Sequence, residues 1–309
     1  MRPTTRQLEY AVAVADHLSF RKAARACHVS QPALSTQVRD LEAGLGIELF
    51  ERDRRRVLVT GVGEKVIARA RAVLAELDGL LDVARGQGEP LVGDLRVGVI
   101  PTVAPYLLPG VIGPLRESFP DLRLLLHEDQ THALVERLRT GELDVLLLAL
   151  EADLGEARTL PLYSDPFVVA MPRGHRLAQR KSISETDLER ETLLLLEDGH
   201  CLREQALAVC GLGGARELGD FRGGSLNTLV RMVEGGLGIT LLPSMAVDTE
   251  VRPGGGVVLK PVVQRAPART IGLAWRPSSG RVEEFEALAR VLDRHPPSGV
   301  KRVRRRARA

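Results

Sequence analysis

Along the first 60 residues, apolar side chains recur every three or four positions and then alternate, which predicts helices followed by short strands. Serines at the helix starts supply side-chain caps, and proline is favourable in a first helical turn. The predicted elements are a helix over residues 7–17, a second helix capped by Ser19, a third capped by Ser30 with Pro32 in its first turn, and strands over 48–51 and 57–60. This order of elements is typical of a winged helix-turn-helix domain.

The third helix carries polar residues on the face that its apolar side chains leave outward. Amides and hydroxyls can hydrogen-bond to base edges, and a helix front without bulky side chains can enter the major groove of DNA. The predicted reading face comprises Gln31, Pro32, Ser35, Thr36 and Arg39. The turn between the two strands is rich in arginine, so it is predicted to be a wing that contacts phosphates or the minor groove through Arg52, Arg54, Arg55 and Arg56.

A long helix is predicted to follow over residues 61–87. Its apolar positions from Val66 to Ala84 are spaced alternately four and three apart, which is the seam of a pair of helices. Packing against its own domain is the alternative interpretation. We favour dimerisation, because an operator with two half-sites needs two recognition helices held apart. The glycines and proline of RGQGEPLVGD then mark a linker.

From residue 94 onward, short apolar runs alternate with helical patterns, which predicts an α/β domain. The predicted strands cover 94–100, 122–129, 143–150, 166–172, 192–197, 238–243 and 270–276, and the predicted helices lie near 105–118, 132–140, 201–210 and 226–234.

The composition of the chain predicts its cellular location and shows an uneven distribution of charge. No apolar stretch is long enough to span a membrane and the first residues lack the apolar core of a signal peptide, so a cytoplasmic location is predicted. The three cysteines are too few for a disulfide scaffold. The net charge of +3 is unevenly divided: residues 1–60 carry +3 and the last nine residues hold six basic groups and no acid. The residues between are therefore acidic by six, and a basic head on an acidic body suggests a polyanionic partner.

Cys201 follows a predicted strand and begins a predicted helix. The apolar run LLLL ends before Glu197, and residues 198–200 offer a turn and a cap. Unpaired N–H groups and the positive end of the helix dipole favour a thiolate there, and His200 and Arg203 can add to this effect. The position therefore suggests a reactive thiol.

Cys210 lies nine residues further on, which in an unbroken helix corresponds to about 13 Å of rise. A disulfide needs Cα atoms within about 7 Å, so a bridge to Cys201 requires the helix to come apart. The glycine-rich residues 211–214 would permit this change. The alternative is that both cysteines are buried apolar residues of an amphipathic helix. A metal site lacks a sufficient set of local ligands, because His200 and Cys201 are adjacent.

Several segments resemble a known family. GHCLREQALAVC, preceded by LLLLED, resembles the redox segment of the OxyR peroxide sensors within the LysR-type transcriptional regulators, and IPTVAPYLLP, LHEDQTH and RTIGLAWRP are similar to other segments of that family. The first domain resembles the LysR-type DNA-binding domain through Gln31, Pro32, Ser35, Leu41, Glu42, Leu49, Phe50 and Thr60. Within that domain Cys27 is interpreted as a core residue of the second helix.

The resemblance implies a site and a reaction. Thr102 and Thr131 would hold peroxide, His200 and Arg203 would tune Cys201, and a cation near the sulfur would come from Arg269. Cys201 would be oxidised to a sulfenic acid, which condenses with Cys210 to a disulfide. No cofactor and no metal are expected.

The resemblance also implies an α/β architecture: a winged helix-turn-helix, a linker helix and a two-lobed regulatory domain like the type II periplasmic-binding proteins. The expected domains are 1–60, 61–87, and 88–295 with lobe I over 88–162 and 268–295 and lobe II over 163–267, followed by a basic, disordered tail over 296–309.

The expected partners are double-stranded operator DNA, hydrogen peroxide, further copies forming a homodimer and then a homotetramer, and RNA polymerase as a candidate; no membrane is expected. The function implied is a non-enzymatic transcription regulator of oxidative-stress genes. Two alternatives stay open at this point: a LysR-type regulator whose inter-lobe cleft binds an organic-acid inducer, and a thiol peroxidase.

Overall fold

A computed structural model of the protein describes residues 2–52, 57–85, 91–189, 191–209, 216–263 and 267–303. The chain forms two compact units, which we describe separately. The first contains the N-terminal helices together with Arg137–Glu142 and Ser278–Arg281, and the second contains the large sheet and the remaining helices.

Capping hydrogen bonds begin each of the first three helices, and the predicted caps of the second and third, Ser19 and Ser30, are confirmed. The side chains of Ser19 and Ser30 accept hydrogen bonds from the N–H groups of Lys22 and Ala33, and Thr4 forms a capping box with Gln7. The elements of this unit are α1 (Thr5–His17), α2 (Phe20–Ala26), α3 (Gln31–Leu45), β1 (Phe50–Arg52), β2 (Val57–Val59) and α4 (Gly61–Arg85). Its core contains Tyr10, Ala11, Val14, Leu34, Val38, Leu41, Leu49, Phe50 and Ile67.

The predicted reading face of α3 differs from the structure at one residue. Ser35 is buried and its hydroxyl accepts a hydrogen bond from Nη2 of Arg39 at 3.3 Å, so the prediction that Ser35 is exposed is wrong. Ser35 lies at the edge of the apolar face of α3, next to Leu34 and Val38, and this face packs against the core. The other four residues of the face are exposed: Gln31, Pro32, Thr36 and Arg39.

The predicted wing is described only in part. Strand β1 ends at Arg52 and pairs antiparallel with β2, whereas Arg54, Arg55 and Arg56 lie outside the described residues. Cys27 is half-buried at the end of α2, against the core of this unit, and burial together with Glu9 raises the pKa of its thiol.

Helix α4 covers most of the predicted long helix, and its apolar seam is only partly covered in the monomer. Ala70 is buried, but the exposed fractions of Val73, Leu77 and Leu80 are 48%, 37% and 65%. None of the helices in the described residues combines the length and apolar character needed to cross a membrane.

The second unit confirms the predicted α/β class. Its strands are β3 (Gly93–Val99), β4 (Leu122–Glu128), β5 (Val145–Ala149), β6 (Arg158–Pro172), β7 (Thr192–Leu196), β8 (Arg216–Gly223), β9 (Thr240–Pro243), β10 (Val257–Pro261), β11 (Ala268–Trp275) and β12 (Lys301–Arg302). Its α-helices are α5 (Ala104–Ser118), α6 (Thr131–Arg139), α7 (Glu185–Leu188), α8 (Cys201–Val209), α9 (Leu226–Glu234), α10 (Val247–Glu250) and α11 (Val282–Arg294), and short 3₁₀ turns cover Arg176–Gln179 and Ser244–Ala246.

Strand β6 organises this sheet. The strand order is β10-β6-β11-β5-β3-β4, with β9 and β12 also paired to β6, while β7 and β8 form a separate parallel pair. Residues of β6 up to Pro166 pair with β11, whereas those from Phe167 onward pair with β9 and β10. The partner of β6 therefore changes at Pro166. The division into lobes near residues 162 and 268 stays a prediction.

Several elements have no counterpart among the predicted ones: the first half of β6, β8, β10, α11 and β12. The tail expected from residue 296 to be disordered is the clearest difference, because Lys301 and Arg302 pair with Tyr163 and Ser164 of β6. The expectation of disorder is wrong for these residues, since an open strand edge can add a strand whatever the composition of its side chains. Residues 304–309 lie outside the described part of the chain.

Candidate functional site

Cys201 is the first residue of α8, as predicted, and its side chain is buried. The N–H of Arg203 donates to the carbonyl of His200 at 2.9 Å and closes the first turn. Gly199 precedes them with φ of +96°, and a Cβ there would lie 2.1 Å from Oε1 of Gln130. Glycine is therefore required for the turn that leads into the helix.

Arg203 does not face the site as an isolated cation. Its Nε lies 3.0 Å from Oδ1 of Asp198, and its Nη1 donates to the carbonyl of Leu196 at 3.4 Å. Asp198 also pairs with Arg222 of β8. This arrangement ties the start of α8 to the end of β8, and the charge of Arg203 is balanced by a carboxylate.

His200 is buried next to Cys201, and its Nε2 lies 3.8 Å from Oε1 of Glu197. Burial lowers the pKa of His200 below its ordinary value, and Glu197 partly opposes this shift. The imidazole is therefore mainly neutral at pH 7. The sequence-based expectation that its positive charge supports a thiolate is weakened for this physical reason, and a neutral ring contributes instead as a hydrogen-bonding group.

Thr102 and Arg269 are brought together, and a third residue joins them. Arg269 donates from Nη1 to Oγ1 of Thr102 at 2.8 Å and from Nη2 to the Thr102 carbonyl at 2.9 Å. Its Nε donates to Oδ2 of Asp165 at 2.9 Å. All three residues are buried, and Arg269 and Asp165 are 1% and 0% exposed. A fully buried guanidinium requires a carboxylate partner, which Asp165 supplies.

These contacts determine the direction of the Thr102 hydroxyl. Because Oγ1 accepts a hydrogen bond from Arg269, the hydroxyl proton is left to donate to another group. Thr102 also lines a cavity of about 430 Å³. The hydroxyl is thus polarised by a cation on one side and available to a molecule in the cavity on the other.

Thr131 begins α6, directly after Gln130, which lines the same cavity. Its hydroxyl oxygen is buried and has no hydrogen-bond partner among the described residues. Buried hydroxyls are normally paired, so this group suits a site that receives a polar ligand.

The cavity is lined mainly by acidic and uncharged polar side chains. No arginine or lysine stands among its described lining residues, although Arg269 lies directly behind Thr102. The lining comprises Pro101, Thr102, Pro105, Tyr106, Glu128, Asp129, Gln130, Leu196, Glu197, His200, Gly224, Ser225, Leu226, Asn227 and Glu250. Of the predicted site residues, Thr102 and His200 line this cavity, whereas Cys201, Thr131, Arg203 and Arg269 are not among its described lining residues.

Sequence reasoning missed two acidic residues here. Asp165 is the one charged residue in the mainly apolar segment LYSDPFVV, and this pattern could have identified it. Glu250 is buried and accepts hydrogen bonds from the hydroxyl of Tyr106 and from Nδ2 of Asn227, both at 2.8 Å. Burial and the bond to Glu250 raise the pKa of Tyr106, which keeps the phenol protonated.

The predicted bridge partner cannot be placed. Helix α8 is described as far as Val209, and Cys210 lies outside the described residues, so the Cys201–Cys210 bridge stays a prediction. The described residues contain no group of three or more His, Cys, Asp or Glu that could hold a metal ion.

Comparison with known proteins decides the family. Residues 5–64 match the bacterial regulatory helix-turn-helix protein of the lysR family, and residues 88–296 match the LysR substrate binding domain. The DNA-binding transcriptional dual regulator OxyR of Escherichia coli (strain K12) is 47% identical over 287 residues, which cover 93% of this chain and 94% of that protein. The chain belongs to the OxyR family of LysR-type regulators.

Solved OxyR structures share the fold as well as the sequence. A full-length OxyR variant from Pseudomonas aeruginosa aligns over 99% of this chain and 100% of its own, with a TM-score of 0.83 and 36% identity. A mutant OxyR from Corynebacterium glutamicum, in an H2O2-bound form, aligns over 96% of this chain and 94% of its own, with a TM-score of 0.63 and 39% identity. The predicted fold class and the predicted resemblance are confirmed. The OxyR relative of Escherichia coli is a transcriptional regulator by name, which agrees with the helix-turn-helix match here.

Proposed function

We propose that this protein binds operator DNA through its N-terminal domain and senses hydrogen peroxide at Cys201. The exposed residues Gln31, Pro32, Thr36 and Arg39 read base edges, and Ser35 supports Arg39 from the buried side. The wing arginines, Arg52 and Arg54 to Arg56, add sequence-independent phosphate contacts. A DNA-binding regulator of this kind works in the cytoplasm.

The observation that carries the peroxide site is the buried hydroxyl of Thr102 held by Arg269 beside the cavity. The Cys201 thiolate attacks one oxygen of hydrogen peroxide, so that the S–O bond forms while the O–O bond breaks. The second oxygen leaves as hydroxide, and Cys201 becomes a sulfenic acid. Thr102 donates to the leaving oxygen, and Arg269 stabilises the negative charge that develops there.

Thr131 and His200 complete the peroxide site. The buried hydroxyl of Thr131 supplies a second hydrogen-bonding group, and His200 presents its neutral ring on the wall next to Cys201. Arg203 acts mainly through structure, because its pairing with Asp198 secures the turn that presents the thiol.

The second step of the proposed mechanism is disulfide formation, which changes the conformation of α8. The Cys210 thiol displaces the hydroxyl of the Cys201 sulfenic acid, so that a disulfide forms and water is released. Because α8 is helical from Cys201 to Val209, bridging these cysteines requires the helix to unwind. The segment therefore has two folds, and the oxidant selects between them.

The dimer seam on α4 connects this switch to DNA. Pairing of the exposed seam holds two recognition helices apart in a homodimer, and two dimers assemble into a homotetramer that can contact RNA polymerase. A change in one regulatory domain then alters the spacing of the recognition helices. The protein acts in this scheme as a regulator and not as an enzyme, because oxidation of Cys201 serves to change DNA binding and not to remove peroxide.

The two alternatives receive less support. An organic-acid inducer would meet the acidic groups of Glu128, Asp129, Glu197 and Glu250 in a cavity whose described lining has no cationic side chain. A thiol peroxidase would not need a DNA-binding domain, but sustained turnover of peroxide with a thiol reductant would favour it.

A footprinting experiment tests the proposed function. Operator DNA selected from a random pool is digested in complex with the parent, Cys201→Ser and, as a matched control, Cys27→Ser, each with and without peroxide. We expect peroxide to change the length of the protected DNA for the parent and Cys27→Ser but not for Cys201→Ser. A peroxide response that persists in Cys201→Ser would contradict the proposal.

A further inference from the structure

We infer that Asp165 is a positioning residue for the reaction with peroxide, which it serves by holding Arg269 against Thr102. This inference rests on the proposed function, because it concerns the same site. Asp165 is absent from the described lining of the cavity and contacts the reacting groups only through Arg269. Because this contact runs through Arg269, we place Asp165 behind the residues that would touch peroxide.

Both oxygens of the Asp165 carboxylate are already used. Oδ2 accepts from Nε of Arg269 at 2.9 Å, and Oδ1 accepts from the N–H of Met245 at 3.1 Å. Asp165 and Arg269 also face each other directly in the antiparallel pairing of β6 with β11. Two fixed donors and a fixed strand register leave the carboxylate one orientation.

The orientation of the carboxylate sets that of the guanidinium. Because the guanidinium is planar, a bond at Nε determines where both Nη groups point. Here they point to the hydroxyl oxygen and the carbonyl oxygen of Thr102, at 2.8 and 2.9 Å. Without Asp165, Arg269 would be a buried cation lacking its carboxylate, and it would shift towards other acceptors or water. Thr102 would then lose the donor that polarises its hydroxyl.

Asp165 lies on β6 at the point where this strand changes its pairing partner. Asp165 precedes Pro166, where β6 changes its partner from β11 to β9. Met245 lies in the 3₁₀ turn directly after β9, so the second carboxylate oxygen is bound by the segment that follows the strand paired with β6 beyond this change. The carboxylate thus joins the Thr102–Arg269 pair to both parts of β6.

The test compares two reactions of the same thiol. Asp165→Asn replaces two acceptor oxygens with one acceptor oxygen and one donor NH2 group. One of the two present donors, Arg269 or the N–H of Met245, therefore loses its acceptor and faces an amide N–H instead. We expect the rate constant of Cys201 with hydrogen peroxide to fall about 10-fold or more, since a donor at the leaving oxygen is misplaced. Alkylation of Cys201 by iodoacetamide has no leaving hydroxide, and we expect its rate to change less than about 2-fold.

A second arginine–aspartate pair, in which only the aspartate is buried, provides the control. Asp144 accepts hydrogen bonds from the backbone N–H, Nε and Nη2 of Arg96 at 2.8, 3.2 and 2.8 Å, and it is absent from the described lining of the cavity. Asp144→Asn should lower the unfolding temperature without changing the ratio of the peroxide and alkylation rates. If Asp165→Asn does not fold, Asp165→Glu decides, because it keeps the charge beside Arg269 but displaces the carboxylate by one methylene.

A double variant completes the test. Adding Asp165→Asn to Thr102→Val should lower the peroxide rate by less than about 2-fold, because the two residues act through one contact. The inference is overturned if Asp165→Asn slows both reactions equally, or if Asp144→Asn changes the rate ratio as much. A parent protein whose Cys201 reacts with peroxide no faster than Cys27 would instead overturn the proposed function.

Discussion

The contacts of the Thr102 hydroxyl determine which hydrogen bond it can still form. It accepts from Arg269, it is buried, and it lies on a cavity wall, so its proton is available to a ligand. A hydroxyl that was only a helix cap would instead accept from a nearby backbone N–H. The Thr102 side chain therefore does not act as the cap of α5, which begins after Val103 without a side-chain capping bond.

Removing this hydroxyl should slow the reaction with peroxide selectively. For Thr102→Val we expect a loss of about 10-fold or more in the peroxide rate constant of Cys201, since the leaving oxygen loses a donor, with little change in alkylation by iodoacetamide. Stopped-flow measurement of thiol loss checks this. Thr240→Val is the control, because Thr240 is equally buried but donates to the carbonyl of Leu194. Equal slowing in both variants would count against a role for Thr102 in the chemistry.

His200 should make the stability of the protein depend on pH. Burial lowers its pKa, so below the ordinary value of about 6.5 the unfolded chain takes up a proton that the folded protein does not. The free energy of unfolding should therefore decrease as the pH falls through that value towards the lower pKa of the folded state. In His200→Gln this decrease should be smaller.

Urea unfolding between about pH 7.5 and about pH 5 measures this dependence. His295→Gln serves as the control, because His295 is exposed. A decrease with falling pH that is the same in His200→Gln as in the parent would show that another group is responsible.

At the scale of single elements, the start of α8 depends on the turn that precedes it. Gly199 and the Arg203–Asp198 pair shape the turn before Cys201. Asp198 is largely exposed, so its ion pairs stabilise the turn by roughly 1 kcal/mol or less. A short helix held in this way can open without unfolding the sheet behind it.

Oxidation should remove the protection of α8 against hydrogen exchange. In the reduced protein the amides of α8 are bonded within the helix, and a bridge to Cys210 cannot form while they remain so. We expect faster exchange across α8 in peroxide-treated parent protein, measured by mass spectrometry. Cys210→Ser should form the sulfenic acid yet keep slow exchange, and α9 provides an internal reference. Unchanged protection of α8 in the bridged form would refute the unwinding mechanism.

At the scale of the whole molecule, the apolar seam of α4 favours a second copy as the partner. Val73, Leu77 and Leu80 follow the four-and-three spacing of paired helices and are exposed in the monomer. Polar residues would be expected at these positions on a helix that remained solvated. The seam therefore supports dimerisation through α4.

Introducing a charge into this seam should weaken the dimer. Leu80→Glu removes apolar burial of about 1.5–3 kcal/mol per side chain, so dimer dissociation should become at least about 10-fold easier. Analytical ultracentrifugation over a dilution series measures this. Leu237→Glu is the control, because Leu237 is also exposed but lies after α9. Equal weakening by both substitutions would place the dimer interface elsewhere.

Features that depend on near neighbours in the chain could be predicted from the sequence. Ser19 and Ser30 as caps, the helix start at Cys201 and the seam of α4 follow from residues within a few positions, because capping bonds and helical faces are local. The family resemblance also rested on short segments, and it placed Thr102 and Arg269 in one site without showing how they meet.

The assembly of the site could not be predicted in this way, because its residues are distant in the chain. Asp165, Thr102 and Arg269 come from β6, from the turn after β3 and from β11, and their contacts depend on strand register rather than on local pattern. The neutral state of His200 and the inward turn of Ser35 likewise depend on what packs around them. The same reason explains β12, since Lys301 and Arg302 pair with β6 through backbone groups that every residue type carries.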